Sequence, residues 1–216
     1  MRIVALSDIH GAYGEMERII SSEDDLDLVI LAGDITTNGD KRELAKGLDV
    51  VRKQRVPFLA VCGNMDPPVL EEVLLAERAS INGRGAVVGG VGFFGVSAAP
   101  HSFLHTPNEI SEEEIRRCAE AGWKEVSTAR RKIFVPHAPP ARTKIDKTFL
   151  GAHVGSSAVR EFIEVYQPDA VLCGHIHEAR GTDSIGTTQV VNCGAAAKGY
   201  YAVIEVGETL TITLKP

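Results

Sequence analysis

Short, almost uninterrupted apolar runs occupy Arg2–Leu6, Leu28–Ala32, Phe58–Cys62, Arg131–Val135 and Ala170–Cys173. Strands covered on both faces have this signature, because neither set of alternating side chains meets water. Between the runs, apolar positions return at helical spacing. Met16, Ile19 and Ile20 share one side of Glu15–Ile20, and Leu44, Leu48 and Val51 share one side of Arg42–Lys53. Pro67–Glu77 opens on two prolines, which suit a helix start. Asn108–Ala121 carries Glu112, Glu113 and Glu114 in its first turns, where the helix dipole favours acid. Ser156 or Ser157 can cap a helix running to Tyr166, with Pro168 as its stop.

Two stretches alternate differently. Val87-Val88 and Val91-Gly92-Phe93-Phe94 flank Gly89-Gly90, so Ala86–Gly95 predicts a β-hairpin. Thr188–Asn192, Tyr201–Val206 and Thr209–Leu214 predict a second hairpin at the C-terminal end, turning at Gly207. The expected class is α/β, a mixed sheet system with helices outside and antiparallel strands added. No linker, repeat or low-complexity tract interrupts it, so residues 1–216 are expected to form a single domain.

Polar clusters follow the apolar runs: Ser7-Asp8-Ile9-His10-Gly11, Gly33-Asp34, Gly63-Asn64-Met65-Asp66, His137-Ala138-Pro139, Gly174-His175-Ile176-His177 and Asn192-Cys193-Gly194. Ligand sites in open α/β sheets collect just beyond the carboxyl ends of strands. The first five clusters bring metal-capable side chains there: Asp8, His10, Asp34, Asn64, His137, His175 and His177. Singly they are ambiguous. Asp8 and His10 point the same way in an extended segment, yet Asp-Ile-His-Gly also suits a helix N-cap with a surface histidine. Gly33-Asp34 and Gly63-Asn64 pass as ordinary turns. His175 and His177 share one strand end, and the alternative for them is a pair of exposed loop histidines.

Jointly the clusters resemble the calcineurin-like metallophosphoesterase superfamily, whose pattern is DxH, GDxxxxG, GN with an acidic residue following, a lone His, then GHxH. Here these are Asp8-Ile9-His10, Gly33-Asp34 through Gly39, Gly63-Asn64-Met65-Asp66, His137 and Gly174-His175-Ile176-His177. The stretch from His137 to Ser156 is similar to a subgroup of small archaeal and bacterial phosphoesterases. The resemblance implies a four-layer α/β/β/α sandwich of two mixed sheets flanked by helices, with the metal site at the strand C-terminal ends. It also implies two divalent ions bridged by Asp34 and a hydroxide. Asp8, His10 and His177 would complete one site, and Asn64, His137 and His175 the other. The hydroxide would attack phosphorus in line, with Asp34, Asn64 and His175 acting through it and no covalent intermediate. Carboxylate, imidazole and amide oxygen together suit Mn²⁺, the ion expected here, and also Fe²⁺, Zn²⁺, Co²⁺ or Ni²⁺.

One position departs from the family pattern. Many members carry histidine after the GN, where it is thought to protonate the leaving oxygen, and this chain has Met65. A thioether donates no proton, so leaving groups of high pKa should be poor ones. His153, His101 and His105 are substitutes to weigh against ordinary loop histidines. Asp66 matches the acidic position and is expected to orient a metal-bound histidine. Arg142 and Lys144, with Lys147, lie in the loop after His137 and could hold a phosphate oxygen, as could His153. A solvated basic loop is the alternative. Gly151–Ser156 precedes a helix start and offers backbone N–H groups to an anion.

The expected activity is therefore metal-dependent phosphoester hydrolysis, of a diester rather than a monoester. A monoesterase, a nuclease and a non-catalytic scaffold are the alternatives. A scaffold should have lost ligands, and this chain keeps all seven. A net charge of −6 advertises no nucleic-acid surface, although two bound ions would add positive charge locally. A small phosphoester is the expected partner. Cys62, Cys118, Cys173 and Cys193 form no CxxC pair and mostly end apolar runs, which suits structural thiols in a reducing cytoplasm. No apolar run approaches the ~18 residues of a membrane span. The Gly83–Gly95 hairpin is either an edge that pairs two subunits into a dimer or one covered internally.

Overall fold

The computed structural model describes residues 1–216. Thirteen strands and five α-helices alternate along the chain. The strands are β1 (Arg2–Leu6), β2 (Leu28–Ala32), β3 (Phe58–Val61), β4 (Gly85–Val88), β5 (Val91–Val96), β6 (Ala99–Pro100), β7 (Glu109–Ile110), β8 (Arg131–Pro136), β9 (Ala170–Cys173), β10 (Gly181–Ile185), β11 (Thr188–Asn192), β12 (Tyr201–Val206) and β13 (Leu210–Lys215). The helices are α1 (Tyr13–Ser21), α2 (Lys41–Lys53), α3 (Glu71–Ala76), α4 (Glu112–Glu125) and α5 (Ser157–Tyr166).

The strands form two large mixed sheets, β13-β12-β1-β2-β3 and β10-β11-β9-β8-β5-β4, with β6 and β7 pairing apart. Along β1, Val4 and Leu6 face helices α1 and α2, while Ile3 and Ala5 face the second sheet. Along β8, Ile133 and Val135 face the first sheet and Phe134 faces α4 and α5. Every central strand is thus buried on both faces, which is why its sequence reads as one apolar run. The layers are helix, sheet, sheet and helix, as expected. No helix is long and apolar enough to cross a membrane. The four cysteines are free, and burial pushes the Cys193 thiol up to about 12.

Three elements differ from the sequence-based expectation. The helix over Pro67–Glu77 is split into a 3-10 turn at Pro68–Leu70 and the shorter α3. Helix α4 starts at Glu112 rather than Asn108, because Ser111 caps it by accepting from the Glu114 N–H. Asn108 is buried instead, donating from Nδ2 to the Gly63 carbonyl at 3.0 Å. Thr188–Asn192 is not part of the C-terminal hairpin, which is β12 with β13. It is β11, parallel to β9 in the other sheet and antiparallel to β10. Ser156 caps α5 as expected, accepting from the Val159 N–H, and Glu112 reaches across to Ser157 and Ala158 N–H.

Parallel pairing sets where the polar clusters meet. β1, β2 and β3 run parallel, as do β5, β8, β9 and β11. Their carboxyl ends are joined across the two sheets. The Ala98 N–H donates to Cys62 O at 2.9 Å, and Ser7 bridges to Ala195.

Candidate metal centre

Three of the ligand clusters turn through left-handed backbone where their strands end. Asp8, His10, Asp34 and His175 all have positive φ, between 49 and 69°. This left-handed region is uncommon for non-glycine residues, and such strain gathers at functional sites. The glycines preceding the ligands have a steric reason. A Cβ on Gly63 would lie 2.1 Å from Asp34 Oδ1, and one on Gly174 would lie 1.9 Å from Ser7 Oγ and 2.3 Å from Asp8 Oδ2. The ligand loops therefore approach closer than any side chain permits.

Two groups of donor atoms result. In one, His177 Nε2 lies 3.2 Å from Asp8 Oδ1 and 3.4 Å from His10 Nε2. In the other, His137 Nε2 lies 3.0 Å from Asn64 Oδ1 and 3.4 Å from Asp34 Oδ2. Asp34 Oδ2 also lies 3.7 Å from His10 Nε2, which puts this oxygen between the groups. Asp8, His10 and His177 form one cluster with ligand atoms within 4.8 Å of each other, and Asp8, Asp34 and His137 form a second. The His175 ring packs 5.2 Å from that of His137, centroid to centroid, and its backbone N–H donates to both Asp8 oxygens at 3.1 Å. Asp8, Asp34, Asn64 and His137 are buried, whereas His10 and His177 are half-buried at the mouth.

The donor set tests whether a cation fits. His137 Nδ1 donates to the Ala32 carbonyl at 2.8 Å, so a neutral ring presents only a lone pair at Nε2. That lone pair faces the oxygens of Asn64 and Asp34, with no hydrogen among the three atoms. Such a meeting of acceptors is unfavourable unless a positive charge sits among them, so a divalent ion fits. Without a metal, a proton serves. Burial opposes protonation of His137, but the charges of Asp34 and Asp8 win and raise it to about 9. Burial likewise presses the Asp34 carboxyl upward, and the His137 charge with the Met65 N–H holds it below the ordinary range. Burial and the His137 charge push His175 down to about 4. The hydrogen bond to Asp8 raises His177, against burial and the nearby charge of Lys198.

This arrangement fixes how metal uptake should respond to pH. An ion at His137 Nε2 must displace the proton held there up to about pH 9. Apparent affinity should then rise by up to about tenfold per pH unit toward that value and level off above it. The metal-free protein behaves oppositely. Its His137 titrates above the ordinary 6.5, so the resulting stabilisation is complete below 6.5 and fades as pH rises through about 9. Calorimetric Mn²⁺ titrations in buffers of different ionisation heat measure the proton released. An affinity flat from about pH 6 to 8 would contradict the assignment.

Asp66 has a different partner set from the one expected. Its buried carboxylate orients no histidine. It accepts from the N–H groups of Ile35 (3.0 Å), Thr36 (2.8 Å) and Gly63 (2.9 Å) and from the Thr36 hydroxyl at 2.8 Å. It thereby ties the Asp34 loop to the Asn64 loop. His153 donates from Nδ1 toward Asp146 Oδ1 at 2.7 Å, and that buried carboxylate also accepts from Arg142 and Thr143 N–H. Arg142, Lys144 and Lys147 are exposed on the same loop. The loop is fastened to the ligand end by Asn192, whose Nδ2 donates to Ile145 O and Ile176 O. Asn192 was not assigned a role from sequence, because its Nδ2 partners are backbone carbonyls. Asp146 was missed because its partners, the His153 ring and nearby backbone N–H groups, are brought to it only by the loop's fold.

Comparison with known proteins agrees with this architecture. A protein of Methanocaldococcus jannaschii without assigned function is 32% identical over 210 residues, covering 93% of this chain and 90% of that one. The crystal structure of TT1561 from Thermus thermophilus superposes with a TM-score of 0.76 at 19% identity, covering 98% of this chain and 97% of that one. A dimetal phosphatase from Danio rerio superposes with a TM-score of 0.67 at 12% identity, covering 99% and 95%. These two structural likenesses are of fold. The sequence model described as calcineurin-like phosphoesterase matches residues 1–179. The chain belongs to the calcineurin-like phosphoesterase family, and it is a metal-dependent phosphoric ester hydrolase.

Proposed function

We propose that residues 1–216 act as one phosphodiesterase domain that binds two divalent ions, Mn²⁺ foremost, and hydrolyses a small phosphodiester. The carrying observation is the meeting of lone pairs at His137 Nε2, Asn64 Oδ1 and Asp34 Oδ2, beside a second gathering of metal-capable atoms at His10, His177 and Asp8. Asp34 would be the ligand common to both ions, because its Oδ2 lies between His10 and His137. Asp8, His10 and His177 would complete one position, and Asn64, His137 and His175 the other. A dimetal phosphatase of similar fold supports the count of two. When bound, the ions would supply Lewis acidity toward the phosphoryl oxygens and acidify a water for in-line attack. The chain's own part is positional. The Ala32 carbonyl fixes the His137 tautomer, Asp66 locks two ligand loops together, and the Met65 N–H steadies Asp34 at 2.7 Å. Free thiols without disulfides, three of the four buried, suit a reducing cytoplasm.

Diester preference follows from Met65, which donates its backbone N–H to Asp34 but offers no acid. The deciding assay compares bis-p-nitrophenyl phosphate with p-nitrophenyl phosphate on Mn²⁺-loaded protein, with His175→Ala as control. Metal-dependent diester cleavage lost in the variant supports the reading, and faster monoester cleavage overturns the preference. Met65→His should raise turnover of alkyl esters by at least about tenfold, toward the range of general acids, and leave nitrophenyl esters nearly unchanged. An unchanged rate for both classes would show that proton supply to the leaving group does not limit this enzyme.

A further inference from the structure

The connection from β11 to β12 crosses the metal end of the molecule. β11 finishes at Asn192 beside the Cys173 end of β9, and β12 starts at Tyr201 and runs antiparallel to β1. Both termini lie at the edge where the candidate ligands gather, so residues 193–200 have to pass over it from one sheet to the other. The backbone of this crossover is held firmly. Ser7 and Ala195 form a parallel bridge, Ala196 N–H donates to Ser7 O at 2.8 Å, and Ala197 N–H donates to Asp8 O at 3.2 Å. A 3-10 turn spans Ala196–Lys198, and Gly199 closes it at φ 86°.

Lys198 therefore follows directly on the residue bonded to the Asp8 backbone, and it is exposed. Its backbone position is fixed, while its ammonium enters no ion pair or hydrogen bond. Arg180 nearby is engaged, donating to the Lys215 carbonyl and lying over the Tyr200 ring. A flexible cation left idle on a rigid turn, one residue from the Ala197 N–H that bonds the Asp8 carbonyl, contributes nothing evident to the fold. It is well placed for an anion arriving at the centre.

We propose that Lys198 is a substrate-binding residue whose ammonium grips a non-bridging oxygen of the phosphoryl group presented to the metal centre. The inference rests on the phosphoesterase reading for its substrate, but the anion site it describes is measurable without turnover. A lysine acts here as a point charge on a long stem, able to follow the phosphoryl group as its geometry changes. It differs from Arg142, Lys144 and Lys147, which sit on the separate loop after His137.

The test uses the full chain loaded with Mn²⁺ and two probes, inorganic phosphate by calorimetry and bis-p-nitrophenyl phosphate by initial rates. K198M should weaken phosphate binding by about tenfold to a hundredfold, the range of one charge-assisted hydrogen bond. It should raise KM more than it lowers kcat, and K198R should recover most of the loss. Mn²⁺ content and melting temperature should match the parent. Phosphate binding equal in K198M and parent overturns the proposal, as does a parent that binds no phosphate. Loss of Mn²⁺ in K198M also overturns it, by making the lysine structural. Lysine-dependent phosphate binding without ester hydrolysis supports the anion site while removing the phosphoesterase reading alone.

Discussion

Asp34→Asn is expected to lower metal-dependent hydrolysis by on the order of a thousandfold or more, with the metal-free fold near its original stability. The asparagine carbonyl can keep the bond from the Met65 N–H, now 2.7 Å from Asp34 Oδ1. The anionic oxygen between His10 and His137 cannot be replaced by an amide, whose N–H₂ group would face both rings. The His137 proton loses the partner that holds it, so burial leaves that ring neutral. Metal at a hundredfold over its Kd should stabilise the parent by about 2.7 kcal/mol, or roughly 5–10 °C in melting temperature. That increment should collapse in the variant. Melting curves with and without Mn²⁺, read beside metal content and turnover, make the check. A variant that keeps the increment and the activity would remove Asp34 from the centre.

The largest loss of stability should come from Asp66→Ala. Its carboxylate is buried and receives three backbone N–H groups and a hydroxyl from Ile35, Thr36 and Gly63. Alanine leaves those donors in the interior without acceptors or water. Each such buried orphan costs about 1–3 kcal/mol, so the variant should lose at least about 3 kcal/mol and some 6–12 °C. Asp66→Asn keeps one good acceptor and should fall between the two. Metal affinity should drop with stability, since Gly63 and Ile35 flank ligands on both tied loops. Urea unfolding monitored by Trp123 fluorescence measures it. A midpoint unchanged in Asp66→Ala would show that the loops are held by something other than this carboxylate.

The sheets were legible because burial on two faces leaves an unmistakable run of apolar residues. Arg2–Leu6, Leu28–Ala32 and Ala170–Cys173 have the same limits in sequence and structure. Strand β10 was not legible, since Gly181, Thr182, Asp183 and Ser184 lie along a half-exposed edge and show no apolar face. The crossing of β11 into the second sheet was hidden as well. Alternation reports that a strand is half-buried but not which neighbour it chooses. At the site, the gathering of ligand side chains followed from placing motifs at strand ends. What stayed invisible was everything carried by peptide groups, including the grip of Asp66 on two loops. The place of Lys198 depends on the Ala197 N–H meeting the Asp8 carbonyl, and no residue type encodes that.

The left-handed backbone at Asp8, His10, Asp34 and His175 has an evolutionary consequence. Each of these residues holds a conformation that glycine adopts freely, at a cost of order 1 kcal/mol or more. Selection acting on folding alone would drift toward glycine at such positions, most readily at His10, which is partly open to solvent. A library of variants sorted only for yield should therefore enrich glycine at His10 and erase the centre without any sign of harm.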